Sequence, residues 1–366
     1  MKHPLIPMAA ASAATLLTAC NLFPGSTQPP TIQPVVQYEK SVVTTLAGSV
    51  QGYYDGPGAD AKFMSLRGLA IDASGSLYVS DLGSVANKGY YRIRKIDGAG
   101  VVSTYAGGEV GLVEGPASEA RFDVPTGLAF GPDGRLFVSD ADNNRIRVIG
   151  LDKVVSTFAG GSQGYANGAA ADARFFLPND IAADKQGNLY LAEEGNVRKI
   201  TPSGEVSTLA GGANGRLGGP SPGQSNLSPR GIGVDAQGNV LVADSGRAGI
   251  LKISPAGEVT MLAGPSDGRN EHVDGPASQA RFNMPADVAA DAIGNVYVAD
   301  GDGTVRRISP QGMVTTIAGI SGWGASTVTE GEGSTVRLGQ VTSIAVDASG
   351  SVFVTNDARI SKIRLD

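Results

Sequence analysis

From residue 42 to the C-terminus, short apolar runs alternate with turns rich in Gly, Asp, Ser and Pro. That pattern predicts short strands joined by tight turns rather than long helices. The phrase Val-x-Thr-x-Ala-Gly or a near copy recurs at 43–48, 102–107, 155–160, 206–211, 259–264 and 314–319. Its alanines are separated by 59, 53, 51, 53 and 55 residues, so six copies of one unit fill nearly all of the chain after residue 41.

Each unit reads as four strands. The first is typified by Gly68-Leu69-Ala70-Ile71-Asp72, and its middle residue is small in every copy (Ala70, Ala129, Ala182, Gly233, Ala289, Ala345). Larger apolar neighbours flank it, as in a strand buried on both faces with backbone crowded on one side. A turn glycine follows at 75, 134, 187, 238, 294 and 350, where positive φ is expected. The second strand ends in an acid (Asp81, Asp140, Glu193, Asp244, Asp300, and Asn356 in the last copy), the third is an Arg-x-Ile strand, and the fourth is the Val-x-Thr-x-Ala-Gly phrase.

An antiparallel sheet of four such strands is apolar on both faces and cannot stand alone. Six must stack radially, which predicts an all-β, six-bladed β-propeller of four-stranded antiparallel blades. The chain starts on a fourth-type strand and ends on a third-type strand. The N-terminal strand is therefore expected to complete the last blade and close the circle.

These units resemble NHL repeats over roughly residues 42–366, through phrases such as Pro125-Thr126-Gly127-Leu128-Ala129, Gly294-Asn295-Val296-Tyr297-Val298-Ala299-Asp300 and Asp142-Asn143-Asn144-Arg145-Ile146-Arg147. The resemblance implies a six-bladed propeller and leaves function open, because such propellers bind protein, glycan or RNA or act as sensors, and their relatives are lyases and lactonases.

The first nineteen residues carry one cation at Lys2 and an apolar stretch ending in Leu17-Thr18-Ala19-Cys20. This reads as an export signal, and the tetrapeptide resembles the lipobox of bacterial lipoproteins, whose Cys is lipidated. Cys20 is the one cysteine in the sequence. The expected organisation is a signal at 1–19, a Pro/Thr/Gln-rich tether at 20–41 and the propeller at 42–366, held by lipid at a bacterial membrane surface as a monomer. The lipidated protein would have no disulfide, thiol nucleophile or cysteine metal ligand. Net charge is -6 and only 17% of residues are charged, which disfavours nucleic acid as a partner.

Residues present in every unit read as scaffold, and departures of single units read as candidate sites. The acids ending the second strands are expected to bond turn amides or the nearby Arg. The cations Lys62, Arg121, Arg174, Arg281 and Arg337 either brace their loops or ring an anion. Departures cluster at the entrance to the first strand, where Asn179, Asp180 and Asp287 join Arg67 and Arg230 at the mouth of the central channel. The acids either pair with the two arginines or, with Asn179, hold Ca²⁺ or Mg²⁺.

The metal alternative resembles lactonases of the regucalcin and gluconolactonase type, although no Glu stands where their first-blade ligand would be. No catalytic residue is assigned. His272, on a long loop, is expected in solvent, and as the one His outside the expected signal it excludes a multi-histidine site. Tyr53, Tyr54, Tyr90, Tyr91, Tyr165 and Trp323 either form a contact patch on the long-loop face or cover the ends of their own blades. The reading favoured is a binding or scaffold module for a protein, glycan or small ligand, with a metal-dependent lactonase or esterase as the alternative.

Overall fold

The computed structural model describes residues 39–85, 88–212, 227–265, 267–322, 328–356 and 358–366. Among these, apolar strands and glycine turns build six antiparallel sheets. The inner strands are Leu66–Ile71, Pro125–Phe130, Asp180–Ala183, Pro229–Val234, Asp287–Ala290 and Val341–Val346. Each touches the next, and the last touches the first, so they close a ring around an axis. Buried apolar side chains form one cluster in each gap between neighbouring blades. Turn glycines take φ of 80–92° at Gly75, Gly134, Gly187, Gly238, Gly294 and Gly350, a region that penalises any Cβ.

The ring closes as the strand order requires. Ser41–Ala47 lies antiparallel to Arg359–Leu365 as the outer strand of blade six, with Val43 opposite Ile363. Ser41 is buried, and its hydroxyl donates to the Ile317 carbonyl of blade five. Just before it, the Glu39 carboxylate pairs with Arg307 at 2.5 Å and Lys40 pairs with Asp366 at 3.0 Å. These contacts fix residues 39–41 against blades five and six. The signal, Cys20 and nearly all of the tether lie outside the described residues.

Four blades carry a short fifth strand. In three of them it is the Gly-Pro of the long inter-blade loop, at Gly56–Pro57, Gly115–Pro116 and Gly275–Pro276, and in blade six it is Gly331–Glu332. Each pairs with the outer strand of the blade its loop enters.

What holds those loops is a fully buried arginine on the third strand. Arg94, Arg147, Arg198 and Arg306 bond the acid ending the second strand (Asp81, Asp140, Glu193 and Asp300) at 2.5–3.1 Å. Other N–H groups of each reach loop carbonyls, for Arg147 those of Arg121 and Val113, while Arg94 and Arg306 also bond Asp55 and Asp274 of their loops. Each guanidinium also lies 5.0–5.5 Å from the ring centroid of a buried loop phenylalanine (Phe63, Phe122, Phe175, Phe282). The acids also accept the amides of Met64, Asp123, Phe176 and Asn283, so they are scaffold, as expected.

Two blades solve the same problem differently. Blade four has Leu251 on its third strand, and Asp244 takes its cation from Arg247 of the adjoining turn at 2.7 Å. Blade six pairs two neutral groups, Asn356 and Ser361. Charge is gained or lost in pairs, because either ion alone would be buried without compensation. Of the loop cations, Arg121 pairs with Glu109, and Arg281 with Asp267 and Glu271.

Two outcomes are expected. Deleting residues 41–48 should lower the melting temperature by about 10 °C or more, while deleting 21–38 leaves it nearly unchanged; equal melting curves would refute closure by this strand. Arg147→Leu should cost about 3–5 kcal/mol in chemical denaturation, since it leaves the Asp140 carboxylate buried without its cation.

Candidate functional site

Where the six inner strands converge, their first residues form two stacked rings. The upper ring, at one position per blade, is Arg67, Thr126, Asn179, Arg230, Ala286 and Thr342. The lower ring is Gly68, Gly127, Asp180, Gly231, Asp287 and Ser343. In blades one, two, four and six the pairing register shifts at these positions. Such bulges re-aim side chains, here at the start of the inner strands.

Neighbouring backbones approach so closely that the lower ring needs glycine. A Cβ on Gly68 would lie 2.1 Å from the Thr126 carbonyl oxygen, and one on Gly231 would lie 2.3 Å from the Cα of Asp287. Apart from Gly127, every member of both rings lines one cavity of about 290 Å³, together with Leu82, Val124, Met284 and Gln340. The five residues singled out at the channel mouth, Arg67, Asn179, Asp180, Arg230 and Asp287, are all brought together there.

They do not form the expected ion pairs. Arg67 and Arg230 are exposed, and among the described residues neither side chain holds an acid. The two acids turn instead to backbone and to each other. Asp180 Oδ2 accepts the Ile232 amide at 2.8 Å. Asp287 Oδ2 accepts the Ser343 hydroxyl at 2.6 Å and the Ile344 amide at 2.9 Å, and its Oδ1 accepts the Val288 amide. The two acids lie close enough that each bears on the ionisation of the other.

Burial and the facing Asp287 charge hold Asp180 well above the usual carboxylate range. Burial also lifts Asp287 to about 6, against the donors that stabilise its anion. Burial and mutual repulsion thus favour a proton kept on the pair, which has no arginine beside it. Asp180 and Asp287 are also the two residues common to this cavity and to the apolar channel below it, so the pair forms the floor between the two.

Most other polar members of the upper ring stitch one blade to the next. Thr126 Oγ1 donates to the Pro178 carbonyl, Asn179 Nδ2 to the Arg230 carbonyl and Thr342 Oγ1 to the Leu66 carbonyl. Asn179 thus spends its Nδ2 on a carbonyl and keeps its Oδ1 as an acceptor. The side-chain oxygens for Ca²⁺ or Mg²⁺ are that Oδ1 and two carboxylates that already hold amide and hydroxyl donors, fewer than the six to eight oxygens that Ca²⁺ gathers. These side chains alone do not complete the shell of a hard cation.

His272 is not in solvent. Its side chain is 9% exposed, with Nδ1 2.8 Å from Asp302 Oδ2 and Nε2 3.0 Å from Thr316 Oγ1. With Asp300 and Asp302 it groups three possible metal ligands. All are engaged: Asp302 also accepts from Ser321 and Thr304, and Asp300 from Arg306 and the Asn283 amide. The cluster ties the blade-five loop to its sheet. Blade two carries an acid at the same position, Asp142, so comparison of the units did not single out Asp302.

Of the aromatic residues singled out in the sequence, those described belong to blades one and three. The Tyr53 hydroxyl donates to the Tyr90 carbonyl, and Arg92 lies 4.7 Å from the Tyr53 ring centroid and 5.7 Å from that of Tyr90. Tyr165 stacks instead on Phe176, at 5.4 Å, in the blade-three loop. Tyr54 is exposed, Tyr91 is half-buried, and Trp323 lies outside the described residues.

Residues 122–149 match the NHL repeat family model. The chain is 26% identical to teneurin-3 of Mus musculus over 277 residues, which is 69% of this chain and 8% of that protein. It therefore spans less than a tenth of the length of that curated relative. Among solved structures, an auxiliary nutrient binding protein from Bacteroides thetaiotaomicron superposes with a TM-score of 0.64 at 19% identity, covering 89% of this chain and 76% of that one. A gluconolactonase from Xanthomonas campestris gives a TM-score of 0.59 at 15% identity, covering 95% and 100%. At such identities the likeness shows the fold.

The raised ionisation of the pair has a measurable consequence. Unfolded Asp180 would ionise near pH ~4. In the fold its ionisation is pushed well above that, so folding takes up a proton as pH rises past about 4. The native chain should therefore lose stability relative to Asp180→Asn as pH rises above that point. Melting temperatures of both, followed from about pH 4 to pH 8, check this; parallel curves would refute the raised ionisation.

Proposed function

We propose that this chain is a lipid-anchored cell-envelope binding module that holds a small polar ligand at the mouth of its propeller axis. The observation that carries the reading is the cavity of about 290 Å³ whose upper ring presents two guanidinium groups, with no acid partner among the described residues, above a floor of two carboxyls. Hydrogen-bonding groups of both signs converge there on a space at the small end of ligand cavities, roughly 300–1,000 Å³. Its neighbours by fold include a protein named for nutrient binding and a gluconolactonase. The metal-dependent lactonase reading is the weaker of the two, because its oxygen ligands are not assembled. The anchor rests on the resemblance of Leu17-Thr18-Ala19-Cys20 to a lipobox.

A panel of small polar metabolites, screened by thermal shift on the full-length chain in detergent, should yield at least one stabilising ligand. Gln340→Trp, an exposed substitution at the cavity mouth, should abolish that shift; a shift that survives it would place the ligand elsewhere. Growth on a radiolabelled fatty acid should label the native chain and leave Cys20→Ser unlabelled. Equal labelling would remove the anchor from the proposal.

A further inference from the structure

The carboxyl floor is accounted for, and so are three polar members of the upper ring: Thr126, Asn179 and Thr342 each bond a neighbouring blade. Arg67 and Arg230 are the remainder. Both stand at the same position of their inner strands, in blades one and four, and blades one and four face each other across a ring of six. Their backbones are fixed, since the Arg67 carbonyl accepts the Thr355 hydroxyl and the Arg230 carbonyl accepts the Asn179 amide. Both side chains are exposed and line the cavity without an acid partner among the described residues.

A scaffold arginine in this protein looks different. Arg94, Arg147, Arg198 and Arg306 are buried and hold an acid and loop carbonyls. Two cations half a turn apart, over a floor that repels a second anion, specify where a ligand's negative charge must sit: at its two ends, with the neutral middle over the axis. Planar guanidinium groups favour carboxylate there, through paired N–H donors. The floor carboxyl pair, with a proton kept on it, both donates and accepts, which suits hydroxyl groups.

Building on the axial-cavity reading, we infer that the ligand is a small hydroxylated dicarboxylate, with one carboxylate at Arg67, the other at Arg230 and its hydroxyls over Asp180 and Asp287. The cavity of about 290 Å³ limits it to a chain of about four to six carbons. An amino acid zwitterion fits less well, since its ammonium would have to displace that proton and would leave one arginine unpaired.

The test uses three probes with one six-carbon polyol backbone and two, one or no carboxylates: galactarate, galactonate and galactitol. Calorimetric titration into the full-length chain should rank galactarate above galactonate above galactitol, each step about tenfold. Arg67→Ala and Arg230→Ala, both at exposed positions, should each bring galactarate down to the galactonate level and leave galactitol unchanged. The double variant should bind all three alike.

Equal affinities for the three probes, failure of all three to bind, or single variants that keep the galactarate preference would overturn the dicarboxylate assignment. If a panel ligand nonetheless binds and Gln340→Trp blocks it, the axial-cavity reading survives that failure. If no panel ligand binds, both fall. Melting curves of the arginine variants that overlay the native one exclude loss of fold as the cause.

Discussion

A four-stranded sheet that is apolar on both faces has no stable existence by itself, and every other feature of this protein follows from the way six of them cover one another. Each gap holds its own apolar cluster, so no blade can be removed without exposing two faces. The ring has to close, and the chain closes it with its N-terminal strand, which shares the blade-six sheet with the last strand of the chain. Covering the faces this way forces the inner strands together on the axis. There the spacing leaves room only for Gly, Ala or a side chain that turns up toward the mouth.

That crowding is also what builds the site. Where glycine allows a neighbour's backbone to come within a Cβ radius, an aspartate can reach across to the next blade's amide, as Asp180 does to Ile232 and Asp287 does to Ile344. Two acids on alternate blades then meet over the intervening Gly231. With no cation beside them, burial and mutual repulsion favour a proton kept on the pair. The arginines that might have neutralised them are directed by strand bulges into the mouth and stay in water, where they remain available to a ligand.

The same protein handles buried charge in two other ways. Four blades bury an arginine with its acid and stack it on phenylalanine, and blade six drops both charges together as Asn356 and Ser361. The His272, Asp302 and Thr316 link does comparable work for the blade-five loop. In each case the polar group is matched inside its own blade. The axial pair is the exception, since its partners come from other blades.

The sequence by itself determined the architecture, because the repeat, the period-two strands, the turn glycines and the phase of the two termini are local signals that six copies reinforce. It also marked Arg67, Asn179, Asp180, Arg230 and Asp287 as departures from the repeat, since comparing units needs no coordinates. What it could not decide was which of these side chains would meet. Their separations along the chain run to 220 residues, from Arg67 to Asp287, and their pairing depends on bulges that rotate one residue at the strand entrance. The choice between an ion pair and a retained proton, the commitment of the Asn179 Nδ2 to a carbonyl and the burial of His272 were set by distances of a few ångströms between blades. Only closure of the ring fixes those.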